Sequence, residues 1–243
     1  MGRIKDNFVD KGFVVVKSLV SKKMIFKIFQ QVEQLIDEAL KIKKVNPSEF
    51  ENVDTKYMFL KKNYPKIKSH IYDLIKYLDG IHAISTMPSL LEIIEELSGP
   101  SLLLDGIQLG INDFDNDNLI PFHQEMYNSF SYQCITAWIP LIDLSVEKGT
   151  LAFVPKSHKK GYVKHTQING YPAIVENIDS SNVEYAYLNK GDAIFFHRHL
   201  FHGSSVNHSS QIRWTFITRY CPISEIPYLE DDMATLRIPY DFD

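Results

Sequence analysis

From Ser101 onward the chain breaks into short strand-like runs separated by turn residues, and this texture restricts the fold more than any other feature of its 243 residues. The runs are SLLLDGIQLGI, YQCITAWIPLIDL, GTLAFVP, EYAYLNKG, DAIFFH and IRWTFITRY, punctuated by Gly149, Gly170 and Gly191. Many short strands with turn signals between them predict an antiparallel sandwich or barrel. The first hundred residues read differently. Ser21 is placed to cap SKKMIFKIFQQVEQLIDEALKIKK, where Met24, Ile25, Ile28, Phe29, Val32, Ile36 and Leu40 recur at helical spacing. Further helices are predicted over Lys66–Leu78 and over MPSLLEIIEELSG, with Pro88 near the start and Gly99 as the stop. No internal repeat, low-complexity tract or linker divides the chain. The expectation is one domain over 1–243, mainly β with flanking helices. A jelly-roll core fills 101–243, and a mostly helical part, 1–100, packs on it.

Composition narrows the function. Hydrophobic residues at 44 % are enough for a globular core. No apolar run approaches the length of a transmembrane helix, and the N-terminus lacks the apolar core and cleavage site of a signal peptide. No membrane association and a cytoplasmic location are the resulting expectations. Residues 1–70 carry 15 Lys/Arg against 8 Asp/Glu within a chain of net charge −4. A basic surface for an anionic partner is one reading, and solvated lysine faces on amphipathic helices are the preferred one. No motif supports nucleic-acid binding. Two cysteines, Cys134 and Cys221, are too few for a disulfide framework or a thiolate metal cage. Any metal must therefore be held by histidine and carboxylate, and seven of the nine histidines lie between 123 and 208.

Within that stretch His123-Gln124-Glu125 stands out. In extended chain, residues two apart point the same way, so His123 and Glu125 can face one ion from a single strand end. A histidine from a distant strand would complete a two-histidine, one-carboxylate face. Such a face leaves positions open for a chelating cosubstrate and O₂ on non-haem Fe(II). H-x-E alone is a weak signal. More context comes downstream, where Gly191-Asp192 leads into a strand, His202 is followed by Gly203-Ser204, and Arg213 lies eleven residues beyond His202. Arginine suits a dicarboxylate because its planar fork makes two parallel hydrogen bonds to a carboxylate. Arg213, Thr215 and Ile217 share one face of an alternating strand, and an arginine facing inward there is costly without an anion. The run Asp113-Phe-Asp115-Asn-Asp117-Asn hints at a calcium loop, but it lacks the glycine and glutamate that the EF-hand requires.

These motifs together resemble the phytanoyl-CoA dioxygenase-like branch of the Fe(II)/2-oxoglutarate oxygenases. The opening Phe8-Val-Asp-Lys-Gly-Phe-Val-Val-Val is similar to the family's first elements. Ile120-Pro-Phe-His123-Gln-Glu125 resembles its proximal metal motif. Ala137-Trp138-Ile-Pro-Leu, Gly149-Thr-Leu and Val154-Pro-Lys-Ser-His158 resemble its middle strands and turns. His202-Gly-Ser204, Asn207 and Arg213 resemble its distal half. The resemblance implies a double-stranded β-helix of cupin-like form, with His123, Glu125 and His202 as the Fe(II) ligands. It implies that Arg213 and Ser204 hold the distal carboxylate of 2-oxoglutarate and that Trp138 lines the cosubstrate pocket. Gln108 is a further polar contact. His197 and His199 sit at the wrong distance from Arg213 for ligands and are assigned to the core or behind the ligands. His158 is expected to end a turn, His165 to lie in a loop and His208 to be exposed. Two departures stand out. Glu125 occupies a place where most relatives have aspartate, and Lys156 one where they often have glycine.

The implied activity is a dioxygenase that hydroxylates an unactivated C–H bond of a small metabolite, consuming O₂ and 2-oxoglutarate and releasing succinate and CO₂. A carboxylate at position 125 argues against halogenation. Met126, Tyr127 and Phe130 are candidate substrate-pocket walls, with plain barrel packing equally weighted for each. Two alternatives stay open at this point: a catalytically idle cupin-like binding module, and a zinc hydrolase using the same three ligands. Substrate identity and oligomeric state are not legible.

Overall fold

The computed structural model describes residues 2–100, 102–114, 119–125 and 134–225. The chain forms two compact units, one of residues 20–87 and one of 1–19 with 88–243.

The unit 20–87 is helical: α2 (Lys22–Ile42), α3 (Val53–Asn63), α4 (Pro65–Ile75) and α5 (Asp79–Ser85), with α1 belonging to the other unit. The Ser21 hydroxyl accepts from the Met24 N–H at 3.2 Å, which is the cap expected from the sequence. The periodic residues Ile25, Ile28, Val32, Ile36 and Leu40 are buried, as an amphipathic stripe requires. The apolar pattern of α3 is poor beyond the buried Tyr57 and Leu60, and a polar clamp helps to hold it. The buried Lys56 ammonium reaches Glu33 and Asp37 of α2, each at 2.7 Å. The helix predicted over Lys66–Leu78 ends three residues early at Ile75, and a separate helix starts at Asp79. Asp79 is held by Lys27 and Gln31 of α2.

The other unit carries the sheets. α1 (Gly2–Lys11) and β1 (Phe13–Val16) open it. α6 (Pro88–Ser98) follows, then β2 (Leu102–Asn112), β3 (Ile135–Pro140), β4 (Leu151–Phe153), β5 (His165–Ile168) and β6 (Tyr171–Ile174). β7 (Glu184–Tyr185), β8 (Ala193–His197), β9 (His202–Ser204) and β10 (Arg213–Pro222) complete it. Among the described residues the main sheet runs β1-β8-β3-β10-β2, and a smaller one runs β7-β4-β9. All pairings are antiparallel. Between the sheets lies a core of Trp138, Ile194 and Phe196 from the large sheet and Leu151, Phe153, Ala186, Leu188 and Leu200 from the small side. This is the jelly-roll arrangement expected from the strand texture.

Register assigns the faces of the large sheet. Ile217 of β10 lies opposite Trp138 of β3 and Gln108 of β2, and Trp138 lies opposite Ile194 of β8. Because strands alternate, Arg213, Thr215, Ile217 and Arg219 point to this inner face, while Trp214, Phe216 and Thr218 are buried on the other. Cys134 and Cys221 form a disulfide with Cα atoms 4.4 Å apart, joining the start of β3 to the end of β10. The sequence reading excluded a disulfide framework; a single bridge is what these two residues make.

The segment 120–125 joins the small sheet to a hairpin of β5 and β6. Ser204 donates its N–H to Ile120 O, and His123 and His202 exchange both backbone bonds at 2.8 and 3.0 Å. Ile174 donates to Phe122 O on the opposite edge. This placement corrects one expectation: His165 is the buried first residue of β5, not a loop residue. Its Nδ1 faces Val163 O at 2.7 Å, and its Nε2 accepts the Gln124 N–H at 3.2 Å.

Candidate metal centre

His123 and Glu125 share a side of their strand, as the two-residue period requires, and Gln124 points away. Gln124 is fully buried. Its amide donates to Gly161 O and His199 O and accepts the Val163 N–H. Every polar group of that side chain is satisfied by backbone, so the residue between the two proposed ligands clamps their strand to two loops. β9 brings His202 alongside. One ligand atom from each of His123, Glu125 and His202 lies within 4.8 Å of the others, and among the described residues no other His, Cys, Asp or Glu group converges in this way.

The histidines are prepared at the back of each ring. His123 Nδ1 lies 2.8 Å from Pro121 O, and His202 Nδ1 lies 2.8 Å from Leu200 O. A carbonyl only accepts, so each Nδ1 carries a proton and each Nε2 is the nitrogen left to face an ion. Phe196 packs against the His202 ring with centroids 4.7 Å apart. Burial, reinforced by His202, pushes His123 down to about 3, so it is neutral near neutral pH. Burial would raise Glu125, but the Arg219 charge and His202 outweigh it and hold the carboxyl well below its usual range. A neutral His123 and an ionised Glu125 are protonation states a divalent cation needs.

Sequence reasoning missed Arg219. Its Nε donates to Glu125 Oε2 at 2.9 Å and its Nη2 to Glu125 Oε1 at 3.1 Å, a two-pronged grip. A signal was present, since Arg219 lies six residues after Arg213 on an alternating strand and must share its face.

Arg213 opens β10 and is 4 % exposed. Its Nη1 donates to Ser205 O at 3.1 Å and Lys148 O at 3.4 Å, and among the described residues no carboxylate pairs with it. Burial alone pushes it down to about 10. A buried guanidinium whose partners among the described residues are two carbonyls is a charge suited to an anion. The loop before it is built for the purpose. The Asn207 amide donates to Asn112 O and Gln211 O, and its oxygen accepts from Ser209. Gly149 packs beneath Arg213 at φ +66°.

Trp138 and Gln108 lie in register with Ile217 on the inner face that also carries Arg213. Ser204 follows His202 by two residues on β9 and so points the same way. His197 and His199 are not with the ligands. His197 faces His158 and His199, with ring centroids 5.5 and 5.2 Å away, on the side of the sheet opposite Phe196. His158 sits in the turn Ser157–Lys160, and His208 is exposed. Met126, Tyr127 and Phe130, together with the acidic-loop residues Asp115 and Asp117, lie outside the described residues.

The family model described as Phytanoyl-CoA dioxygenase (PhyH) matches residues 8–215. The chain is 26 % identical over 220 residues to "Phytanoyl-CoA dioxygenase, peroxisomal" of Bos taurus, covering 85 % of this chain and 64 % of that protein. The chain thus spans a little under two thirds of that relative's length. Among solved structures, "non-heme monooxygenase; ThoJ apo" superposes with a TM-score of 0.67 at 20 % identity, covering 90 % of this chain and 77 % of that one. The epimerase SnoN, solved in complex with Fe3+, alpha ketoglutarate and nogalamycin RO, superposes at 0.64 and 16 % identity, covering 96 % and 90 %. At these identities the structural likeness concerns the fold. Among the described residues no helix is long and apolar enough to cross a membrane.

Proposed function

Because the chain belongs to the phytanoyl-CoA dioxygenase family, we propose that it is an Fe(II)- and 2-oxoglutarate-dependent oxygenase. In this reading it hydroxylates an unactivated C–H bond of a small metabolite with O₂, releasing succinate and CO₂. One observation carries the reading: a convergent His123–Glu125–His202 set with both Nε2 atoms facing inward shares its unit with a buried arginine to which no carboxylate among the described residues is paired. The donor set fits the metal, because nitrogen and oxygen ligands on one face suit non-haem Fe(II). The buried Arg213 fits the cosubstrate, because a carboxylate supplies the charge its site lacks.

When bound, the iron and 2-oxoglutarate supply the activation of O₂ and the oxidation of the substrate. The chain's own residues do the rest. Pro121 O and Leu200 O hold the proton on the far nitrogen of each ligand histidine, so neither ring turns its N–H toward the ion. Arg213 binds the distal carboxylate, with Ser204 offering a hydroxyl to the same group. Trp138 and the neighbouring apolar core exclude water from the cosubstrate side, and Gln108 offers a polar contact across the inner face. Glu125 fills a place that must be small for a halide to enter, which favours hydroxylation.

The test is an anaerobic titration of the Fe(II)-loaded protein with 2-oxoglutarate. The expected result is the metal-to-ligand charge-transfer band of a chelated 2-oxo acid. A folded, Fe(II)-loaded protein that shows no band sinks the reading.

A further inference from the structure

The carboxylate at this centre is a glutamate, one methylene longer than the usual aspartate. That length adds a torsion to a carboxylate that, like any, can bind an ion through one oxygen or both. Chelation through both would consume a position that the cosubstrate and O₂ need. We propose that Arg219 is a positioning residue that holds Glu125 to one-oxygen ligation and so keeps three places of the centre open. The inference rests on the oxygenase reading above.

The geometry supports it at three points. The guanidinium fork engages both carboxylate oxygens, Nε on Oε2 at 2.9 Å and Nη2 on Oε1 at 3.1 Å, which sets the plane of the carboxylate as well as its position. Oε1 is the oxygen that approaches His202 Nε2, at 3.5 Å, so the fork presents that oxygen to His202 while its Nε engages the other. Both side chains are largely withdrawn from water, with 11 % of Glu125 and 20 % of Arg219 exposed, so the grip is only weakly screened.

The backbone is arranged to aim it. β10 is an inner strand, flanked by β3 and β2, which leaves Arg219 little freedom. Between Arg219 and Tyr220 the β10–β2 register shifts, from Arg219 opposite Gly106 to Tyr220 opposite Leu104. An irregularity of this kind re-aims the adjacent side chain and is common beside active sites. Gly106 presents no side chain opposite the guanidinium; a Cβ there would meet Nη1 at 4.0 Å. The other end of the pair is fixed too, because the Glu125 N–H donates to Arg198 O at 2.9 Å. One strand therefore carries both arginines, Arg213 for the cosubstrate and Arg219 for the metal carboxylate.

Arg219→Lys and Arg219→Met separate a fork from a charge and from neither. Each variant and the wild type is loaded anaerobically with Fe(II), titrated with 2-oxoglutarate and read by the charge-transfer band. The d–d absorption of the Co(II)-substituted proteins is recorded without 2-oxoglutarate. Both variants are expected to need about tenfold more 2-oxoglutarate for half the band and to show a Co(II) spectrum changed in coordination. Lysine is not expected to rescue, because it supplies charge without the fork. Wild-type titration and Co(II) spectra in the lysine variant overturn the proposal, and so does wild-type behaviour of the methionine variant. If one variant fails to fold by circular dichroism, the other decides. A missing band in the wild type counts against the oxygenase reading, and the Co(II) spectra still decide the role of Arg219: unchanged spectra overturn it.

Discussion

Arg213 is a cation placed where no cation is stable alone. Its two carbonyl partners satisfy hydrogen bonds but not charge, and burial has already lowered its affinity for a proton. A dicarboxylate that enters completes the pair. Arg213→Ala is therefore expected to raise the 2-oxoglutarate requirement for the charge-transfer band on the order of tenfold to a hundredfold, the worth of a charge-assisted hydrogen bond. An unchanged requirement displaces Arg213 from this role. His123→Ala removes one of two nitrogen ligands, and succinate formation is expected to vanish while circular dichroism stays that of the wild type. Full turnover in that variant refutes the ligand set. The paired carboxylate differs from both. Glu125 was legible as a ligand from its spacing to His123, yet the arginine that grips it comes from a strand 94 residues away.

At the scale of elements, turns decide what the strands deliver. Lys156, the residue that departs from the family's glycine, adopts φ +65°, a left-handed conformation that a Cβ disfavours. The strain costs about 1–2 kcal/mol, and glycine would lose about 0.5–1 kcal/mol in chain entropy. Lys156→Gly is thus expected to stabilise the protein by roughly 0.5–1 kcal/mol, read as a higher urea midpoint at constant slope. Gly149 is the opposite case. At φ +66° a Cβ would collide with Val206 O, press on Ser205 O at 2.7 Å and reach Arg213 Nη1 at 2.8 Å. Backbone cannot yield as a side-chain tip can, so Gly149→Ala is expected to cost roughly 2 kcal/mol or more and to weaken 2-oxoglutarate binding. A variant of unchanged stability and affinity contradicts this account of the turn.

For the molecule as a whole, the sheet-bearing unit gathers three histidines that stay neutral when folded. Burial, aided by His199, pushes His197 down to about 3. Burial, aided by Arg198, pushes His199 down to about 4. His158 beside them is lowered as well, and Lys159, Arg198 and Asp10 are the charged groups that act on the cluster. The unfolded chain takes up protons near 6.5, where the folded chain does not. The unfolded state then binds more protons, so stability rises with pH through this window and is lost as pH falls below about 6.5. Urea midpoints measured at about pH 7 and about pH 5 should differ in that sense, and His197→Gln with His199→Gln should shrink the difference. A midpoint independent of pH, or one rising toward acid, contradicts the neutral cluster. The Cys134–Cys221 bridge acts at the same scale, closing 87 residues of chain between two adjacent strands.

Local chemistry was legible where a residue's own neighbours in the chain determine its role. The Ser21 cap, the buried stripe of α2, the strand texture after Ser101 and the shared face of His123 and Glu125 all follow from periodicity over a few residues. The same holds for the alternation that turns Arg213 inward. What needed the tertiary structure is what strands bring together from afar: Arg219 on Glu125, Cys134 on Cys221, and the three histidines on the outer face of the sheet. His165 was misplaced for the same reason. Its partner, the backbone N–H of Gln124, lies 41 residues away, and no local pattern announces such a bond. Sequence period states which way a side chain points, and only the packing of sheet on sheet states what it meets there.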